Sequence, residues 1–98
     1  MILVRNVFQA KYGRGGELVA LFKEANQKWP ALANRQYRIL TDLSGPFFTV
    51  VTEGELESLA DFQRLSGEIF SQPGFGEWFA RMQELVESGR REFYTIEA

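Results

Sequence analysis

The chain divides into six segments in a fixed order: strand, helix, strand, strand, helix, strand, with the central pair of strands turned about Gly45-Pro46. No other feature restricts its fold so tightly. A span of 98 residues holds one hydrophobic core and is too short for two, so this order has to be satisfied within a single domain, 1–98.

The segments are read from their periods. Ile2 to Ala10 alternates as a strand, with Val4, Asn6 and Phe8 on one side and Leu3, Arg5 and Val7 on the other. A turn at Lys11–Gly16 leads into a helix whose apolar stripe is Leu18, Leu21, Phe22, Ala25 and Trp29, limited by Pro30. Arg35 to Asp42 and Phe47 to Thr52 are expected strands on either side of Ser44-Gly45-Pro46. Thr52 and Glu55 have the spacing of a capping box, so the second helix is expected to begin there and to bury Leu56, Leu59, Phe62, Leu65, Ile69 and Phe70. Glu53, Glu55, Glu57 and Asp61 would then complement its dipole. Pro73-Gly74 interrupts the helix, Trp78, Phe79, Met82, Leu85 and Val86 resume it, and Ser88-Gly89 ends it before a last strand, Arg91 to Ile96. The order is the ferredoxin-like α+β arrangement, βαββαβ: two helices cover one face of a four-stranded antiparallel sheet.

Such a sheet has a second face. The third strand carries Phe47, Thr49 and Val51 one way and Phe48, Val50 and Thr52 the other, and the last strand opposes Phe93 to Tyr94 and Ile96. Both faces are therefore expected to be apolar. The expected cover for the outer one is a second copy of the chain, giving a homodimer paired through its sheets as a dimeric α/β barrel. Composition agrees with a large apolar interior: 45% of residues are hydrophobic, among them nine Phe, two Trp and three Tyr.

Other classes are disfavoured by composition. A formal charge of −2, with 11 basic and 13 acidic residues interspersed, provides no basic stripe for nucleic acid. The sequence contains no Cys and no His, which removes thiolate chemistry, thiolate metal sites and the commonest acid/base group and metal ligand near neutral pH. No cofactor and no metal is expected. Gly13-Arg14-Gly15-Gly16 follows a strand and opens a helix, but lacks the spacing of a phosphate loop and reads as a plain turn. The apolar run Met1–Val4 gives way at once to Arg5-Asn6, so neither a leader nor a membrane span is expected and the location is expected to be cytoplasmic.

On Val4–Phe8, Gly15–Leu18, Phe47–Val51 and Arg90–Ile96, the chain resembles the dimeric α/β-barrel superfamily, and within it the antibiotic-biosynthesis-monooxygenase-like and NIPSNAP-like small domains. The resemblance covers essentially the whole chain. It implies two ferredoxin-like protomers pairing their sheets, each with a cavity between sheet and helices. Some members oxygenate aromatic polyketides without metal or flavin; others degrade haem with an Asn on the first strand, a Trp on the second helix and a His. Asn6 matches the Asn by strand and position, Trp78 lies beyond the Pro73-Gly74 break, and no His is available. That absence argues against haem degradation.

Four residues stand out as candidate substrate contacts: Asn6, Arg38, Tyr94 and Trp78. A buried amide on an apolar strand needs partners, and it either meets a ligand or is a satisfied structural group. Arg38 and Tyr94 are expected to converge with it on one cavity and hold an anionic or phenolic ligand, or else to reach solvent or pair between subunits. Trp29 and Trp78 either line a flat pocket or fill the core, and Arg90-Arg91 reads as a surface salt-bridging pair. Two functions remain open: a cofactor-independent monooxygenase-like enzyme acting on a hydrophobic aromatic substrate, and a non-catalytic dimer that binds a small hydrophobic ligand or is structural.

Overall fold

The computed structural model describes residues 1–29 and 37–98. Its elements are β1 (Ile2–Ala10), α1 (Gly15–Lys28), β2 (Arg38–Thr41), β3 (Thr49–Leu56), α2 (Leu59–Phe70), α3 (Phe75–Leu85) and β4 (Val86–Thr95). The expected end of the first helix at Pro30 and start of the second strand at Arg35 lie outside the described residues. The four strands form one antiparallel sheet in the order β2-β3-β1-β4, and the fold is ferredoxin-like α+β.

Strand alternation sends Val4, Asn6, Phe8 and Ala10 of β1 toward the helices, together with Val50 and Thr52 of β3, and α1 covers this face. Leu18, Leu21, Phe22, Ala25 and Trp29 are all buried, the stripe that the 3.6-residue period picks out. Burying side chains of this size stabilises the fold by about 1.5–3 kcal/mol each. Phe22, Trp29 and Phe75 surround Trp78, with ring centroids 5.6–6.2 Å apart.

Several boundaries differ from expectation. β3 begins at Thr49 and not at Phe47, because Phe48 has φ +59°, a left-handed conformation no strand continues through. β3 also runs on to Leu56, since Ile2 to Gln9 of β1 pair with Leu56 to Thr49 along its whole length. That pairing absorbs Thr52–Glu55, so the expected capping box does not form and Glu53 and Glu55 lie in the sheet. The cap of α2 is Ser58 instead, whose Oγ accepts from the Asp61 amide at 3.2 Å.

The second helix is two helices. Gly74, at φ +86°, sits between α2 and α3, and the Trp78 amide donates to its carbonyl at 3.1 Å. The last helix ends at Leu85, three residues before Ser88, and β4 begins directly after it. Gly89 is a strand residue opposite Phe8, and a Cβ there would approach the Phe8 ring to 3.2 Å. The expected buried stripe of α2 is also overturned: no residue of α2 is buried, and Leu59 and Phe70 are exposed.

Candidate functional site

The reason α2 buries nothing is that it stands over a cavity. A space of about 330 Å³ lies between the helix face of the sheet and the three helices. Phe62, Leu65 and Ile69 turn toward it from α2, Trp78, Phe79 and Met82 from α3, and Val4 and Phe8 from β1. Its volume falls in the range of small-molecule sites, and its wall is mostly apolar and aromatic, as theirs are.

One end of this wall is polar and spans three strands. Register places Thr52 of β3, Asn6 of β1 and Arg91 of β4 side by side. Asn6 Nδ2 donates to Thr52 Oγ1 at 3.3 Å, and Arg91 Nε donates to Asn6 Oδ1 at 2.8 Å. The Arg91 guanidinium lies 4.8 Å from the centroid of the Phe62 ring. Thr52 is buried, Asn6 half-buried and Arg91 exposed, so the three lead from the interior to the rim. Tyr37 also borders the cavity, but its hydroxyl donates to the Phe22 carbonyl at 3.1 Å and burial pushes its pKa up. It stays a neutral phenol.

Of the four candidate contacts, the structure brings two together. Asn6 and Trp78 border the same cavity. The Trp78 indole N–H is taken by the Leu21 carbonyl at 2.9 Å, so Trp78 presents only a ring, and that ring is buried in the core. Arg38 and Tyr94 lie on the opposite face of the sheet, and the expected convergence of Arg38, Tyr94 and Asn6 is corrected. Arg38 pairs with Glu53, and Tyr94 faces Leu3, all of them on the alternate set of strand positions from Asn6. Arg91 and Thr52 are site residues that the sequence reading missed. Of Arg90 and Arg91, the first makes the expected surface salt bridge, to Glu92 on the outer face, while Arg91 turns to the cavity. The available signal was parity, because Arg91 shares a strand face with the apolar Phe93.

The outer face is more polar than expected. Arg38, Glu53, Arg5 and Glu92 form a row of alternating charge across β2, β3, β1 and β4. Glu53 is only 6% exposed and receives Arg5 at 2.6 Å and Arg38 from the other side. Burial alone would push its carboxyl up, but the two arginine hydrogen bonds outweigh this and hold it below the usual carboxylate range. Arg90 then Tyr94 likewise hold Glu92 low by hydrogen bonds. Leu40, Val51 and Val7 lie on one side of the row and Leu3 and Tyr94 on the other. Among the described residues no group of three or more acidic, Cys or His side chains is placed to hold a metal ion, and no helix is long and apolar enough to cross a membrane.

No protein-family model matches the chain, and no curated protein is significantly similar to it. Solved structures are similar to it over most of their length. An uncharacterised NIPSNAP domain protein from Burkholderia xenovorans superposes with a TM-score of 0.85 at 14% identity, over 100% of this chain and 96% of that one. A NIPSNAP family protein from Agrobacterium tumefaciens gives 0.83 at 20% identity, over 96% and 90%. A candidate antibiotic biosynthesis monooxygenase from Deinococcus radiodurans gives 0.72 at 16% identity, over 100% and 94%. The ferredoxin-like fold shared by NIPSNAP and monooxygenase-like structures is thus the fold of this chain.

Proposed function

We propose that the protein binds a small, ring-bearing apolar molecule in the cavity between sheet and helices, and that it does so as a homodimer paired through the outer faces of its sheets. The observation that carries the binding reading is α2. Its Phe62, Leu65 and Ile69 form an apolar face only half-buried, with a 330 Å³ space beneath it. The space is partly open to solvent and mostly apolar in lining, the form that small-molecule sites take. A space this large, walled by aromatic rings, suits a flat apolar occupant that would complete the packing of α2.

Pairing is supported by the composition of the outer face. Leu3, Val7, Leu40 and Val51 there need cover, and the alternating row lets cations of one copy face anions of another.

The test of binding is a tryptophan-fluorescence titration with naphthalenemethanol, a neutral ring compound. Trp78 and Trp29 border the cavity and report occupancy. Binding should saturate at one per chain in the wild type and vanish in Ser66→Phe, which fills the space from α2. An unsaturable signal, or the same signal in both proteins, would sink the proposal.

A second reading, oxygenation of an aromatic substrate, is supported by the polar end. The Asn6 amide and the Arg91 guanidinium would stabilise negative charge on a phenolic or enolic oxygen bound there. A ring-activated CH₂ would then be converted by dioxygen to a carbonyl with release of water, the substrate supplying all four electrons. Dioxygen uptake with a phenolic anthrone tests it, and no uptake above the uncatalysed rate would leave the binding reading alone.

A further inference from the structure

The polar end of the cavity has an unused cation. Arg5, Arg14, Arg38, Arg64, Arg81 and Arg90 each meet a carboxylate. Arg91 meets none among the described residues. Its Nε is committed to Asn6 Oδ1 and its Cζ lies over the Phe62 ring, 4.8 Å from the centroid, which leaves the two Nη groups without a protein acceptor among the described residues. The amide itself is held in register, because its Nδ2 is anchored on buried Thr52. A guanidinium so oriented offers paired donors that match the two oxygens of a carboxylate.

We infer that the ligand is an apolar monocarboxylate, a flat ring system carrying one anionic carboxylate, with its ring body under α2 and its charge on Arg91. This rests on the reading of the cavity as a ligand site. One guanidinium balances one negative charge, and among the described residues no second free cation borders the cavity. A cationic ligand is opposed by Arg91 itself. Glu55, the one acid on the border among the described residues, pairs with Leu3 and belongs by alternation to the outer face. The ring preference follows from Phe62, Trp78 and Phe79, whose faces and edges favour a planar partner. Asn6 is a positioning residue here: it aims the guanidinium and leaves its outer donors free.

The experiment compares naphthoate with naphthalenemethanol, the same ring with and without the charge, by tryptophan fluorescence at about pH 7, where a carboxylate is ionised. The wild type should bind naphthoate about tenfold more tightly than the alcohol, a modest value for a charge-assisted contact because Arg91 is partly in solvent. In Arg91→Gln, which can still bond Asn6, naphthoate should fall to the affinity of the alcohol while the alcohol is unchanged. In Arg91→Lys part of the preference should survive. Equal affinities in the wild type, or a preference that persists in Arg91→Gln, overturn the inference while leaving the cavity a ligand site. Failure of both compounds to bind overturns the inference and the cavity reading together.

Discussion

Arg91 donates through Nε to Oδ1 of Asn6 at 2.8 Å, joining β4 to β1 on the helix face of the sheet at the polar end of the cavity. The amide bridges onward to Thr52, so a residue of each of three strands is tied into one line. Replacing Asn6 by Leu keeps the branched shape of the side chain and removes both bonds. Stability should fall by about 1–3 kcal/mol, the cost of leaving the buried Thr52 hydroxyl without its partner. Naphthoate affinity should fall with it, whereas naphthalenemethanol affinity should hold. Denaturant midpoints and fluorescence titrations on the same samples check both. A loss of alcohol binding would mean that Asn6 shapes the cavity and does not aim the cation.

The outer face should make the protein sensitive to acid. The Glu53 carboxyl is held below the unfolded value of about 4.3 by Arg5 and Arg38, and the Glu92 carboxyl lies low as well. The unfolded chain therefore takes up protons first as pH falls. The stability these groups contribute is present above the unfolded value and is lost as pH drops through the folded ones. Urea midpoints should be flat near neutrality and decline below about pH 4.3. Glu53→Gln should cost about 1–2 kcal/mol at neutral pH and flatten that decline. An unchanged acid limb in Glu53→Gln would show that Glu53 is not its source.

Gly74 sets the joint between α2 and α3 at φ +86°, a conformation that L side chains rarely adopt. A Cβ there would also come within 3.1 Å of Lys28 Nζ, but that is the far end of a flexible chain and moves aside easily. The cost of Gly74→Ala is then set by the backbone, about 1–2 kcal/mol. Because α2 is the least buried helix, hydrogen exchange should accelerate there more than in α1. Uniform acceleration across the domain would contradict this.

Pairing through the outer face predicts a sedimenting species of twice the 11.3 kDa chain mass at micromolar concentration. Val7→Lys places a charge in the apolar strip beside Val51 and should shift that species to the monomer without changing the circular dichroism spectrum. A wild-type chain that sediments as an 11.3 kDa monomer excludes the dimer.

Local periodicity accounts for what the sequence made legible. The stripe of α1 from Leu18 to Trp29 is a helical repeat with one buried side, and the Pro73-Gly74 break is a matter of backbone chemistry. What escaped depends on contacts between distant segments. Thr52–Glu55 has the chemistry of a cap, yet its pairing with β1 makes it strand, and Gly89 resembles a helix end until Phe8 is placed against it. The site follows the same division. Asn6 stands out as an amide in an apolar strand, whereas grouping it with Arg91, and separating it from Arg38 and Tyr94, requires the register of three strands. A one-residue slip would exchange the faces.

The central claim is that a small ring compound occupies the space beneath α2. A crystal structure of the protein with bromonaphthalene tests this most directly, because bromine is located by its anomalous signal. A bromine peak should appear between the sheet and α2, in contact with Phe62, Ile69 and Met82, with β1 and α1 unchanged. A cavity closed by α2 settling onto the sheet, or bromine bound only outside it, would contradict the claim.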